Sequence, residues 1–175
     1  VIGCDRRFLA DQFAERVAKV FAGNGFEVVL GDSPAPTPAI SFAVKSEKAV
    51  GGIVITASHN PAAFCGYKLK GHFGGSADSE TSQAVEGLLD ANPVKTLDLN
   101  LAKRKRLVRI KDLHAPHARA IRKLVDFERV ANSGLRFAHD ALFGVGAGAF
   151  NKILSGTKCK VTTLNGRHDP FFGGI

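Results

Sequence analysis

A short apolar strand that runs directly into a polar turn constrains this chain more than any other feature. Ile53, Val54 and Ile55 are consecutive β-branched residues, and a turn of small and polar residues follows them and ends at Pro61. Such a run predicts a strand that is buried on both faces, as in a parallel sheet covered by helices. Open α/β sheets bind ligands just beyond the carboxyl ends of such strands. The sequence therefore places Ser58 where a functional site is expected.

Hydrophobic spacing predicts that strands and helices alternate along residues 1–125. The segment 90–114 is predicted to be a polar connection. The predicted elements are a strand ending near residue 3, a helix through Phe13, Val17, Val20 and Phe21 that Asn24-Gly25 stops, a strand over 26–30, a helix capped by Thr37 with Pro38 at its first position, a strand over 52–56, and helices over 79–89 and 116–125. This alternation is typical of βαβ units and predicts an α/β fold.

A second, smaller α/β unit is predicted to begin after Ser133-Gly134. It consists of a strand over 135–138, a glycine-rich turn, a helix over 150–154 and a strand over 160–164. One βαβ unit is smaller than the ~50 residues of an ordinary domain. We therefore divide the chain into a first domain, residues 1–130, and an incomplete beginning of a second, residues 131–175. The chain contains no methionine, which favours a fragment of a longer protein.

Composition limits the class of protein without choosing a function. A hydrophobic content of 45% over 175 residues is sufficient for a packed core. There is neither a run of ~18 apolar residues nor the layout of a signal peptide, so we expect a cytoplasmic protein with no membrane partner. The three cysteines are far apart and form no Cys-x-x-Cys pair, which argues against a disulfide framework or a zinc site. The net charge of +8 favours anionic partners of several kinds.

Two segments allow other functional interpretations. The glycine-rich run 144–149 fits a loose dinucleotide-binding pattern, but the next predicted strand ends at Leu164-Asn165 and not at an acid that could hold a ribose. The basic run 103–106 could bind nucleic acid, but no aromatic residue is interleaved for base stacking, which favours a solvated edge. A nucleotide-binding or nucleic-acid-binding domain therefore stays a less favoured alternative, and we predict no nucleic-acid partner.

The turn from Thr56 to Pro61 resembles the phosphoserine loop of the α-D-phosphohexomutases, the phosphoglucomutase and phosphomannomutase family. The similarity extends to residues 3–7, 36–39, 66–68, 140–148 and 168–174. Cys65 is a departure, because family members usually carry asparagine there. The resemblance implies the family's first domain, a mixed sheet sandwiched between helices, followed by a partial second α/β unit.

The resemblance also implies a function. The parent protein would be an isomerase that transfers phosphate reversibly between O1 and O6 of a hexose through a phosphoserine and a hexose 1,6-bisphosphate, with glucose phosphates favoured as substrates. Ser58 would carry the phosphate, and that phosphate would bind Mg²⁺ whose remaining ligands are expected downstream of this chain. His59 and Lys68 would be catalytic, whereas Arg7 and Asn60 would belong to the surroundings of the phosphate.

Each of these residues also has an ordinary structural interpretation. A serine in a turn often caps the backbone, and an isolated histidine or lysine is usually a surface residue. An ion pair with Asp5 explains Arg7 about as well as a phosphate contact does. The alternative to a mutase is a non-catalytic remnant or binding module that keeps the fold. We expect the 175-residue chain alone to be inactive, and the sequence predicts neither the sugar nor the oligomeric state.

Overall fold

The computed structural model describes residues 1–175 and contains two separate sheets. The elements, in chain order, are β1 (Ile2–Cys4), α1 (Ala10–Gly23), β2 (Val28–Gly31), α2 (Thr37–Ser46), β3 (Gly51–Ile55), β4 (Tyr67–Gly71), α3 (Ser79–Glu86), α4 (Leu99–Arg104), β5 (Val108–Lys111), α5 (His114–Arg122), α6 (Phe127–Asn132), β6 (Arg136–Asp140), α7 (Ala149–Ile153) and β7 (Lys160–Leu164), with a short 3₁₀ turn at Phe172–Gly174. None of the helices is both long enough and apolar enough to cross a membrane.

The first sheet has five strands in the order β4-β3-β1-β2-β5. Strands β1, β2, β3 and β5 are parallel, and β4 pairs antiparallel with β3. The parallel strands therefore end at the same edge of the sheet, where Cys4 lies opposite Ile55. A mixed sheet among helices confirms the predicted fold class.

The core lies on both faces of this sheet. One cluster packs Ile53 and Ile55 beneath α1 and α4, and the other packs Val54 beneath α2. Strand β3 is thus buried on both faces, as its three β-branched residues predict. The buried face of α1 consists of four alanines, whereas Phe13 of the predicted apolar stripe is 46% exposed. Val17 and Phe21 are partly buried against the same cluster, so the helix and part of its predicted apolar stripe are confirmed, and the small alanines let the helix approach the sheet closely.

Several elements differ from the sequence prediction. Strand β4 was not predicted, and neither were α4, β5 and α6. Of these, α4 and β5 occupy the segment that was predicted to be a polar connection. Helix α3 ends at Glu86, not Leu89, and α5 begins at His114, since Pro116 is tolerated in a first turn. Thr37 does not cap α2, because Pro36 occupies the N-cap position without a side-chain hydrogen bond.

The second sheet contains only β6 and β7, which are parallel, with α7 between them in sequence. Exposed and partly buried residues alternate along both strands. Only Phe143, Leu154 and Cys159 are buried after Leu113. The predicted division near residue 130 stays a prediction, although the sheets on either side of it are separate.

Polar contacts tie the second sheet's loops to the end of β1. The Arg6 guanidinium donates to the carbonyl of Gly166 at 3.1 Å, and His168 Nε2 donates to the carbonyl of Arg6 at 3.0 Å. The Arg7 guanidinium lies 5.3 Å from the ring centre of Phe172. The two units therefore meet beside the loop that follows β3.

Candidate functional site

Ser58 lies in the loop between β3 and β4, three residues beyond the end of β3. Its backbone is left-handed, with φ 58°, and the residue is exposed. Its Oγ lies 3.4 Å from Nδ1 of His59, and this is the only side-chain contact of the hydroxyl. Left-handed backbone in a non-glycine residue is uncommon and persists where the surroundings impose it. The loop thus presents a reactive group that is accessible and almost free of partners.

The hydroxyl of Thr56 links this loop to β1. It donates to Oδ2 of Asp5 at 2.6 Å and accepts from the backbone N–H of Ser58 at 3.0 Å. The other carboxylate oxygen, Asp5 Oδ1, accepts from the backbone N–H of Arg7 at 3.0 Å. The start of the loop is therefore fixed by a short polar network and not by packing alone.

Arg7 holds the loop by its backbone. The side chain is buried, and Nε donates to Asp5 at 3.2 Å. The other four N–H groups donate to loop carbonyls at 2.7–3.0 Å, those of Ser58, Asn60, Pro61 and Phe64. A guanidinium has five N–H donors, so all of them are used within the protein. We call Arg7 with these four carbonyls the clamp, because their hydrogen bonds fix the shape of the loop.

This arrangement gives a structural role to two residues that were predicted to surround the phosphate. Because every N–H of Arg7 already has a protein acceptor, the structure leaves none for a phosphate, and it favours the ion-pair interpretation of Asp5 and Arg7. The carbonyl of Asn60 accepts one of the hydrogen bonds from Arg7. Asn60 itself is exposed, and its side chain makes no hydrogen bond. Both residues support the loop, and their predicted place in the surroundings of a phosphate stays a prediction.

His59 and Lys68 differ in their distance from Ser58. The imidazole of His59 contacts the serine hydroxyl, as described above. Lys68 lies on β4 opposite Val54, is exposed, and makes no hydrogen bond to the loop. Burial, and secondarily the charge of Lys68, lowers the pKa of the nearby Lys70. The structure brings together Ser58 and His59 and forms no hydrogen bond between Lys68 and either residue.

The return from the loop into β4 requires a glycine. The carbonyl of Gly66 accepts from the backbone N–H of Thr56 at 3.0 Å, and a Cβ on Gly66 would lie 2.8 Å from the Thr56 carbonyl oxygen. Cys65, which precedes it, is exposed. Partial desolvation of the thiol, followed by the charge of Asp5, raises the pKa of Cys65 although the residue as a whole is exposed. The substitution at Cys65 therefore leaves the close backbone approach at Gly66 intact.

A cavity of about 460 Å³ opens beside the clamp, at the carboxyl ends of β1 and β2. Charged side chains of both signs line it, among them Asp5, Arg6, Asp32, Lys103 and His168. The chain contains no group of three or more His, Cys, Asp or Glu that could hold a metal ion. The nearest carboxylate of the network, Asp5, already accepts three hydrogen bonds. The carboxylates beside the loop therefore form no cluster of three or more metal ligands.

Sequence reasoning did not assign a site role to Thr56 or Asp5. The spacing of Thr56 and Ser58 was a usable signal. A threonine hydroxyl can accept a hydrogen bond from the backbone N–H of the residue two positions later, which forms a side-chain turn. The hydrogen bonds of Arg7 could not be predicted from a local pattern of this kind. The four carbonyl partners of Arg7 are more than fifty residues away in the sequence, and no side-chain pattern marks a carbonyl acceptor.

Comparisons with known proteins agree with this architecture. Residues 1–95 match the family model described as phosphoglucomutase/phosphomannomutase, alpha/beta/alpha domain I. A phosphoglucosamine/phosphogalactosamine mutase of Sulfurisphaera tokodaii is 30% identical over 172 residues, which are 98% of this chain and 37% of that protein. A crystal structure of a Thermus thermophilus protein, assigned as a phosphomannomutase, superposes with a TM-score of 0.84 at 34% identity, covering 99% of this chain and 38% of the other.

A more distant structure shows the same fold. The phosphoglucomutase parafusin of Paramecium superposes with a TM-score of 0.79 at 20% identity, covering 99% of this chain and 37% of that chain. The chain thus spans a little more than a third of the length of these proteins. The family model covers more than half of the 175 residues and includes the Ser58 loop with its clamp. This chain therefore belongs to the phosphoglucomutase/phosphomannomutase family.

Proposed function

We propose that this chain supplies the phosphoserine loop of a phosphohexomutase, in which Ser58 passes a phosphoryl group to and from a hexose phosphate. The observation that carries the proposal is the contrast within the loop. Its backbone is held by the N–H groups of Arg7 and by the network around Asp5, whereas the Ser58 hydroxyl is exposed and nearly unpartnered. Phosphoryl transfer depends chiefly on positioning and electrostatics, and a rigid loop with a free hydroxyl meets the first requirement.

The proposed reaction has two transfers. In the first, the P–Oγ bond of phosphorylated Ser58 breaks and a P–O bond forms at O6 of a hexose 1-phosphate, which gives the 1,6-bisphosphate. In the second, the O1 phosphoryl group returns to Ser58 Oγ and releases the 6-phosphate. The proton of the attacking hydroxyl must move to a base in each step. His59, whose Nδ1 lies 3.4 Å from Ser58 Oγ, is the adjacent group for exchanging that proton on the serine side.

Lys68 and Mg²⁺ complete the proposal. The ammonium of Lys68 is proposed to approach the transferring group when substrate binds, since the residue is exposed and its side chain makes no hydrogen bond in the free chain. Mg²⁺ would bind an oxygen of the Ser58 phosphate and offset its charge of about −2. Its remaining ligands are proposed to come from outside residues 1–175, because this chain contains no suitable cluster.

The substrate is proposed to be a phosphorylated hexose. The names of the relatives include glucosamine, galactosamine and glucose phosphates, so they agree on the class of sugar phosphate and differ in the sugar. Glucose 1-phosphate and glucose 1,6-bisphosphate are therefore the first compounds to test. Residues 1–175 alone are not expected to turn them over.

The test is the mass of the intact protein after treatment with glucose 1,6-bisphosphate and Mg²⁺, made on the protein that contains these residues. We expect one added phosphoryl group in the wild type and in Ser79→Ala, which alters an exposed serine at the start of α3. Ser58→Ala should gain none and lose turnover. His59→Ala and Lys68→Ala should slow turnover while retaining phosphorylated protein. Phosphate gain and activity in Ser58→Ala would remove the serine from the mechanism.

A further inference from the structure

The net charge of the protein resides in one segment. Residues 95–125 contain ten Lys and Arg against two Asp, a net charge of +8. The whole chain has 24 basic and 16 acidic residues, so the remainder has 14 of each and is neutral. The +8 charge is thus a local property of α4, β5 and α5 and the loops that join them.

The fold gathers this segment along one edge of the five-stranded sheet. Strand β5 is the outermost strand beside β2. Helix α4 packs against α1 on one face, and α5 packs against α2 on the other. Basic side chains of both helices therefore flank the open strand. The run 104–106 precedes β5, which places it at the opposite end of the sheet from Ser58.

Most of these cations have no counter-charge within the protein. Lys111 pairs with Glu47 at 2.7 Å, and no other Lys or Arg of residues 95–125 forms a salt bridge. Residues 103–106 and Arg109 are exposed. Like charges crowded at one edge repel one another, and an anionic partner relieves that repulsion. Charges on an edge strand also discourage self-association, but that accounts only for Arg109 and Lys111 on the strand itself.

The edge also offers unpaired backbone groups. The carbonyls of Leu107 and Lys111 accept from the N–H groups of Val28 and Asp32 in the neighbouring β2 segment. Hydrogen-bonding residues alternate along a strand in a parallel pair, so the N–H and C=O of Val108 and Ile110 point away from β2, and only those of Ile110 are accessible because Val108 is 3% exposed. Ile110 is 42% exposed. A strand added here would find backbone partners and an apolar side chain between cations.

We propose that the α4–β5–α5 edge binds a flexible acidic peptide, which pairs with β5 as an additional strand. Backbone pairing would supply part of the affinity, and the surrounding cations would select acidic side chains. A rigid duplex touches only a narrow strip of such an edge, and residues 95–125 contain no Phe, Tyr or Trp on which bases could stack. Neither nucleic acid nor a lipid surface uses the open backbone groups. This interaction is separate from the phosphoryl-transfer site.

The test uses the 175-residue chain and a labelled peptide of alternating Glu and Val, about 10 residues long, the upper length of ordinary strands. A matched peptide carries N-methyl groups at alternate residues, which keeps its charge and removes strand pairing. Fluorescence anisotropy should show at least about tenfold weaker binding of the methylated peptide. The unmethylated peptide should slow amide exchange at Ile110. Duplex DNA and anionic vesicles serve as the competing polyanions.

Two variants separate the edge from overall charge. Arg104→Glu/Lys105→Glu/Arg109→Glu alters the edge, and Arg136→Glu/Lys158→Glu/Lys160→Glu alters exposed residues of the second unit. Each variant has 21 basic and 19 acidic residues, a net charge of +2. The edge variant should lose about tenfold in affinity and the control about threefold at most. Equal losses, equal binding of the methylated peptide, or tighter binding of DNA or vesicles would each overturn the proposal.

Discussion

The two sheets of this chain use the same strand–helix–strand unit under different conditions of burial. In the first sheet, β3 is covered on both faces, and Ile53, Val54 and Ile55 are all buried. In the second, β6 and β7 alternate between exposed and partly buried residues, and three buried residues make up the unit's core. Parallel strands normally require cover on both faces. The geometry of a strand–helix–strand unit is therefore set by its local sequence, whereas its stability depends on the helices that cover its strands.

Polar contacts support the second unit beside its small buried core. Asp140 Oδ1 accepts from the N–H of Leu142 at 2.9 Å, and both carboxylate oxygens accept from the amide of Asn165. Arg6 and His168 add the contacts to β1. Exposed polar contacts contribute little each compared with apolar burial. We therefore expect the two units to respond differently to substitution and to pH.

The largest effect is expected from Ile40→Ala. Ile40 of α2 is fully buried, and its side chain fills the space above Gly3, whose missing Cβ would lie 2.6 Å from Ile40 Cδ1. Truncation should lower the free energy of unfolding by about 2–5 kcal/mol in urea titrations followed by circular dichroism. Leu164→Ala in β7, which is 47% exposed, is the matched control and should cost less than about 1 kcal/mol. Equal losses would show that burial does not distinguish the two units.

Arg7→Ala should follow, with a loss of about 3 kcal/mol, because four loop carbonyls and Asp5 lose their donor. Arg16→Ala, an exposed arginine of α1, is the control and should stay within about 0.5 kcal/mol. Amide exchange of Asn60, which donates to Ala57, should accelerate in Arg7→Ala alone. An unchanged loop would mean that packing, and not the clamp, fixes Ser58.

Phe143→Ala tests whether the units unfold together. Phe143 is one of the three buried residues of the second unit, and its ring lies against Gly173 and near Arg167. We expect amide protection to disappear from β6 and β7, while unfolding of the five-stranded sheet changes by less than about 1 kcal/mol. In the wild type, amides of residues 135–175 should already exchange faster than those of β1 and β3. Uniform protection across residue 133 would instead indicate one cooperative body.

The parts of the fold that sequence predicted are those with local signals. The β-branched run of β3 and the helical spacing of α1 mark those elements without reference to the rest of the chain. Strand β5 was missed because only Val108 of its four residues is buried and two of them are charged. Strand β4 was missed because Tyr67 and Lys68 are exposed at the edge of the sheet. Their pairing is decided by distant neighbours.

The candidate site also has a part that the sequence predicted and a part that it did not. Ser58 and its turn were predicted from a contiguous motif, and the structure brings His59 to the hydroxyl. The donors of Arg7 bind backbone carbonyls, which have no signature in sequence, so these hydrogen bonds were not predicted, and the place of Arg7 in the surroundings of the phosphate stays a prediction. Lys68 belongs to the same motif but lies on an edge strand, so its approach to Ser58 stays a prediction.

The smallest effect is expected from acid, and it should appear first in the second unit. Hydrogen bonds from the Leu142 N–H, and then from Asn165, hold the pKa of Asp140 below its ordinary value of 3.8. A depressed folded-state pKa stabilises the folded state above about pH 3.8, and that contribution is lost as the pH falls through the lower, folded value. Amide exchange in β6 and β7, corrected for its intrinsic pH dependence, should therefore accelerate below pH 3.8.

Two variants and the strands of the first sheet serve as controls for this test. Asp140→Asn should remove the acid-dependent step in β6 and β7, because an amide does not titrate there, and Asp90→Asn, an exposed residue outside both sheets, should leave it unchanged. Helix caps in the first domain, Asp78 on Thr81 and Asp98 on Leu101, also have lowered pKa values and will fray in the same range. Strands β1 and β3 contain no such carboxylate and should keep their protection. If β1 and β3 lose protection together with β6 and β7, the polar attachment of the second unit is as important to the whole chain as the buried core of the first.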